Sequence, residues 1–279
     1  MKKIMLIFLV VIVVIVAYRI ASRKRGVSDS AFPIQSPPMQ GHYRAGDYRE
    51  VLRVNARERT YLLHVPAGFD PQKEFPLLLG FHGGAGSGEK FSSQTGLRIK
   101  ADNEGFIAVF PDGIEHNWND GRDSTDAFKQ GVDDIAFVRK LVEDIKAKLP
   151  INKNRIYATG VSNGGIFVHR LGCEMADIFA GIGSVVGPIA SNVALRCVPA
   201  KPVSVVAIQG VADTGIPING GETGRLFRGR KIGDGGLVES AAATRALWAS
   251  KNVCSVGPQT ESLPVLENDG THVEKVSHT

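Results

Sequence analysis

Apolar residues in this chain gather in short runs, most of them closed by glycine or by Asp-Gly, with amphipathic stretches between them. "FPLLLGFHGG" and "GFIAVFPDG" have the continuous apolar character of strands buried on both faces. "RIYATG", "AGIGSVVG" and "KPVSVVAIQG" repeat the pattern further along. "RTYLLHVPAGFD" alternates instead and stops at a Pro- and Gly-bearing turn, which predicts an edge strand. In "VDDIAFVRKLVEDIKAKLP", Val138, Leu141, Val142, Ile145 and Leu149 recur at helical spacing, acids cluster at the start and Pro150 ends the run. Further helices are predicted in "FSSQTGLRIKADNEG", over residues 163–175, and in "VESAAATRALWASKNV". Strands alternating with helices define an α/β fold, a mostly parallel central sheet with helices on both faces.

The first residues break this pattern. Ile4 to Tyr18 form "IMLIFLVVIVVIVAY", fifteen apolar or amphipathic residues between basic clusters. That length lies between a secretory apolar region and a full membrane span, and no small-x-small cleavage site follows it well. Residues 1–21 therefore read as an N-terminal signal-anchor or signal peptide, with contact to the membrane and an extracytoplasmic location. "SDSAFPIQSPPMQG" lacks periodicity, so residues 22–45 read as a Ser/Pro linker and 46–279 as the folded domain.

Charge then loses its first meaning. The net charge is +5, but Lys2, Lys3, Arg19, Arg23, Lys24 and Arg25 precede the first acid, Asp29. Subtracting these six from +5 leaves −1 for the rest, which argues against a nucleic-acid partner. Cys173, Cys197 and Cys254 are an odd number for an exported protein, and their spacing matches no metal site. The sequence leaves oligomeric state open.

Chemistry concentrates at Gly160-Val161-Ser162-Asn163-Gly164, of the form G-x-S-x-G. In a chain with 32 glycines the pattern alone is weak. Its position, directly after a predicted strand and directly before a predicted helix, is what a nucleophile elbow requires. Ser162 is the candidate nucleophile. The N–H of Asn163, at the helix N-terminus, is one candidate oxyanion donor. The loop "FHGGAGSG" after an earlier strand offers the other. That loop resembles a phosphate loop in spacing, yet Glu89 stands where such a loop needs lysine. Asp213, in "VVAIQGVADTG" after a buried strand, is the candidate orienting acid; Asp112 competes but precedes the serine and looks like a turn residue.

Together "YLLHVPAGFD", "PLLLGFHGGAGSG", "FPDGIEHNWNDGR", "VDDIAFVRKLVEDI", "RIYATGVSNGG" and "IQGVADTGIPINGG" resemble the secreted esterase family of polyhydroxybutyrate depolymerases and feruloyl esterases. The resemblance runs from about Tyr48 onward. It implies an α/β-hydrolase fold, hydrolysis of a carboxylic ester, possibly polymeric in nature, through an acyl-enzyme, and neither metal nor organic cofactor. It makes Ser162 the nucleophile, Asp213 the acid, and Gly84 with Asn163 the oxyanion hole. Trp118 either borders the substrate cleft or is a core tryptophan.

The base is the difficulty. Of seven histidines only His272 and His278 follow Asp213, in "DGTHVEKVSHT", which reads as a strand beginning. The family carries its histidine in a later glycine-rich turn, so the expectation is a C-terminally incomplete chain, a fragment with little activity. The same expectation pairs Cys173 with Cys197 as a disulfide and leaves Cys254 single, three buried thiols being the alternative. A serine peptidase of the same fold and a non-catalytic surface or binding protein are the competing readings.

Overall fold

A computed structural model describes residues 33–38, 43–227, 230–265 and 270–279. The apolar N-terminal segment and most of the linker lie outside the described residues. Among the described residues no helix is long and apolar enough to cross a membrane.

The chain opens with strands β1 (Ile34–Gln35), β2 (Gly46–Val54), β3 (Arg57–Val65) and β4 (Phe75–Phe81), followed by helices α1 (Gly88–Thr95) and α2 (Leu97–Glu104). After β5 (Ile107–Pro111) come α3 (Asp126–Lys129), α4 (Asp134–Lys148), β6 (Ile151–Val161), α5 (Asn163–Glu174), β7 (Gly181–Val185), α6 (Ser191–Arg196) and β8 (Ser204–Ile208). An excursion of short strands follows: β9 (Gly221–Glu222), β10 (Arg225–Phe227), β11 (Arg230–Ile232) and β12 (Leu237–Val238). Helix α7 (Ala241–Lys251) and the hairpin β13 (Gln259–Ser262) and β14 (Glu274–Ser277) complete the described chain.

Eight strands form one sheet in the order β1-β2-β3-β5-β4-β6-β7-β8. From β5 across β4, β6, β7 and β8 every pairing is parallel. Alternate residues separate two apolar layers. Leu63, Leu77, Leu79, Val109, Ala158 and Ile182 meet Phe137, Leu141 and Ile145 of α4, Ile166 and Phe167 of α5, and Trp248 of α7. On the opposite face Leu62, Leu78, Ala108 and Phe110 meet Phe91 of α1 with Leu97 and Ala101 of α2. The expected two-sided covering of the sheet is present.

Several expectations change. β3 is not an edge strand: it pairs with β2 on one side and β5 on the other, because the alternating run buries both of its faces beyond Thr60. β8, predicted to be buried on both faces, is the sheet's outer strand, with all five residues exposed or half-exposed. The helix predicted around Thr95 is two helices, because Gly96 adopts φ 66 in the left-handed region that glycine enters without a Cβ clash. The folded region also begins before residue 46. Ile34–Gln35 lies alongside Asp47–Tyr48, and the Tyr43 ring is buried and donates its hydroxyl to Glu50.

Helix α4 forms as its pattern predicts. Asp133 caps it by accepting the N–H of Ala136, and Phe137, Val138, Leu141, Val142 and Ile145 are buried. Each such side chain contributes roughly 1.5–3 kcal/mol by leaving water. A disulfide joins Cys173, in the last turn of α5, to Cys197 after α6, with Cα atoms 4.9 Å apart; Cys254 is free. Closing a loop with a sequence separation of 24 stabilises by about 3 kcal/mol in the chain-entropy picture.

His169 of α5 is fully buried and accepts a hydrogen bond at Nδ1 from the Trp248 indole at 2.9 Å. Burial depresses its pKa to about 4, against a small opposing pull from the Gly187 backbone. The neutral ring is therefore the folded form, whereas the unfolded chain takes up a proton below pH 6.5. The folded state should lose up to about 3 kcal/mol as pH falls from 6.5 towards 4. Urea unfolding across that range should show this slope, and H169F should flatten it.

Candidate active site

The turn from β6 into α5 builds the site. Ser162 follows the last residue of β6 with φ 56 and ψ −121, a strained backbone for a residue with a side chain. Its own backbone is tied on both sides: the N–H donates to Val185 O at 2.9 Å, and the C=O accepts from Ile166 N at 2.8 Å. The turn closes only because side chains are missing beside it. A Cβ on Gly160 would lie 2.4 Å from Gly164 O, and one on Gly164 would lie 2.3 Å from Phe81 O. Ser162 is half-exposed, held up at the sheet's carboxyl edge, and its hydroxyl makes no hydrogen bond among the described residues.

The glycine loop after β4 lies directly against it. A Cβ on Gly83 would stand 3.3 Å from the Ser162 Cβ. His82 shapes this loop, its Nδ1–H donating to Gly83 O at 2.7 Å while Nε2 accepts the Gly113 N–H at 3.0 Å. Burial lowers the His82 pKa, and the Gly83 contact opposes that shift, so the neutral ring fits this bridging role. Asp112 belongs to the same support, accepting the N–H of Gly88 and the hydroxyl of Thr60. Neither the N–H of Gly84 nor that of Asn163 has an acceptor among the described residues.

The Asn163 side chain has a structural task that its sequence position did not announce. It is buried, accepts the Trp118 N–H at 2.8 Å, and donates to Trp118 O at 3.1 Å and to Asp120 Oδ2 at 2.6 Å. The Ser162 turn and the Trp-Asn-Asp-Gly-Arg loop are thus latched together. Trp118 does not border a cleft: it is wholly buried, stacked on Phe167 and edge-on to Phe81, with its indole N–H on His82 O. Its loop is held from below by Arg59 and Asp134, a buried pair at 2.7 Å, and Asp134 also accepts the Asn119 N–H. Burial pushes the Asp134 carboxyl up and Arg59 pulls it back. Arg59 further lies over the Phe137 ring.

Asp213 lies five residues beyond β8, and β6, β7 and β8 run parallel, so Ser162 and Asp213 share the sheet's carboxyl edge. Two strand spacings, about 10 Å, separate β6 from β8. Asp213 Oδ1 accepts the N–H groups of Gly215 and Ile216, at 2.7 and 2.9 Å, which fixes the carboxylate. No histidine hydrogen-bonds to Ser162 or Asp213 among the described residues. His116 reaches Gly86 O, His64 lies between Asp47 and Asp102, and His169 is in the core. Among the described residues no three His, Cys, Asp or Glu side chains gather as a metal site requires.

A mostly parallel sheet with helices on both faces and a strained serine between strand and helix defines an α/β-hydrolase fold. A crystal structure of a thermostable esterase shares it, with TM-score 0.52 over 73% of this chain and 52% of that one, at 18% identity, a likeness of fold alone. The family model for esterase PHB depolymerases matches residues 59–207, more than half of the sequence, and the chain belongs to that family. Feruloyl esterase B of Piromyces equi is 30% identical over 207 residues, covering 72% of this chain and 37% of that protein. Feruloyl esterase C of Emericella nidulans is 29% identical over 180 residues, covering 62% and 61%. The chain thus spans about a third to three-fifths of the length of these relatives.

Removing the Asn163 side chain leaves the N–H at this position but strips the Trp118 N–H and C=O of their partner, while Asp120 keeps Arg122. N163A should lower stability by about 3 kcal/mol, with each buried group left unpaired costing roughly 1–3 kcal/mol. A urea midpoint equal to that of the parent protein would show the latch to be dispensable.

Proposed function

We propose that this domain is a serine esterase that hydrolyses carboxylic esters through an acyl-enzyme, with Ser162 as nucleophile. The observation that carries this reading is the strained Ser162 turn flanked by two unengaged backbone donors, at Gly84 and Asn163. Ser162 Oγ attacks the ester carbonyl carbon, and the developing oxyanion is received by those donors. The proton passes to an imidazole oriented by Asp213, and from it to the departing alcohol as the C–O bond breaks. Water then takes the serine's part and releases the acid.

Feruloyl or acetyl esters of polysaccharides and polyhydroxyalkanoates are the substrates to try, a choice supported by the family's description and the feruloyl esterase relatives. Export suits the Cys173–Cys197 disulfide, which persists in an oxidising compartment, and the apolar N-terminal sequence. A second reading, a binding protein that retains the fold, draws on the lack of a histidine contact at Ser162 among the described residues.

A fluorophosphonate probe separates the two. Without an imidazole in contact, Ser162 in the 279-residue polypeptide should react slowly, since the oxyanion donors alone keep only a residual enhancement of roughly 10³–10⁴. The label should nonetheless map to Ser162 by peptide mass spectrometry and vanish in S162A. Label spread over surface serines would remove the hydrolase reading.

A further inference from the structure

Beside the glycine loop stands a polar pair that the hydrolytic chemistry above does not use. Asn117 is 8% exposed, and its Nδ2 donates to Glu115 O at 3.0 Å. That carbonyl partner fixes which end of the amide is which, because an amide oxygen turned towards Glu115 O would oppose acceptor to acceptor. Asn117 Oδ1 is then a buried acceptor with no donor. It faces Gly84: a Cβ there would lie 3.2 Å from Asn117 Oδ1 and 3.8 Å from Asp234 Oδ2. Gly84 itself is exposed and the Asp234 side chain half-buried, so the pair sits at the edge of the oxyanion loop, with Asn117 Oδ1 just beneath the surface.

Asp234 arrives from a distant part of the chain, between β11 and β12. Arg122 approaches it at 3.6 Å, but Arg122 is already held by Asp120 at 2.8 Å and donates to Thr223 and Gly235 O. Burial raises the Asp234 carboxyl, Arg122 opposes this, and Asp120 and Asp126 add to it. A buried acceptor left unpaired is costly, so a ligand that brings a donor gains what the free protein lacks.

We propose that Asn117 Oδ1 and Asp234 form a hydroxyl-recognition subsite next to the oxyanion loop, selecting esters that carry a free hydroxyl near the scissile carbonyl. This rests on the assignment of Gly84 to the oxyanion hole and narrows the substrate class. Two acceptors beside the Gly84 N–H favour hydroxyl-bearing esters over uninterrupted aliphatic polyester. A site that hydrogen-bonds a substrate hydroxyl discriminates strongly against the analogue lacking it, because its own polar groups are then stranded.

The test uses binding, so that it does not depend on turnover. Two matched pairs are titrated calorimetrically into full-length S162A protein: 2,3-dihydroxypropyl butyrate against propyl butyrate, and methyl 3-hydroxybutyrate against methyl butyrate. The hydroxylated member of at least one pair should bind about tenfold tighter, as one well-made hydrogen bond allows. Adding N117L should bring that ratio close to one. D234N, which keeps the side chain's volume and its Arg122 neighbour, should lower the ratio part of the way, and thermal melts confirm that each variant folds. Equal binding within both pairs, no measurable binding of either hydroxylated ester, or a ratio that survives N117L would overturn the subsite. Failure of Ser162 to accept a fluorophosphonate would instead overturn the hydrolase reading and leave this ratio standing.

Discussion

The site depends on one steric constraint: the chain must reverse from β6 into α5 within a turn too tight for side chains at Gly160 and Gly164. Backbone atoms of Gly164 and Phe81 occupy the space that methyl groups would take. Only under that compression does Ser162 adopt a positive φ and stand clear of the sheet. The strain is sustained by its surroundings, through backbone hydrogen bonds to Val185 and Ile166 and the almost completely buried helix that follows.

Around the turn the structure adds a polar scaffold rather than more apolar packing. Asn163 latches to the loop at 118–120, Arg59 and Asp134 hold that loop from beneath, and Arg122 ties it to the excursion after β8. Buried ion pairs are weak sources of stability, because desolvation offsets much of the attraction. Their geometry is exacting, however, and here it fixes the 118–122 loop against the serine turn. Trp118 fits this account. It is a buried tryptophan whose main chain and indole N–H position two site elements, Asn163 and His82.

The strand runs, helix α4 and the serine turn were legible because each rests on local rules: period, caps and the exclusion of side chains from a tight turn. Family resemblance and structure meet at residues 59–207. The edge position of β8 was not legible, since an apolar run reads the same whether one neighbour or two flank it. Nor was the interior place of β3, whose alternation suggests a solvent face that α2 and α4 in fact cover. The early start of the fold at Tyr43 went unread because a Ser/Pro-rich segment offers no periodicity to follow.

The sequence by itself determined an alternating α/β chain with a serine poised between a strand and a helix, because those features are encoded within a few adjacent residues. Tertiary structure alone decided that Trp118 lies in the core, that the Asn163 side chain latches onto the 118–120 loop, and that Asn117 and Asp234 face the same glycine. These bring together residues up to 150 positions apart, and no local pattern records which acceptor is left without a donor once the chain has closed.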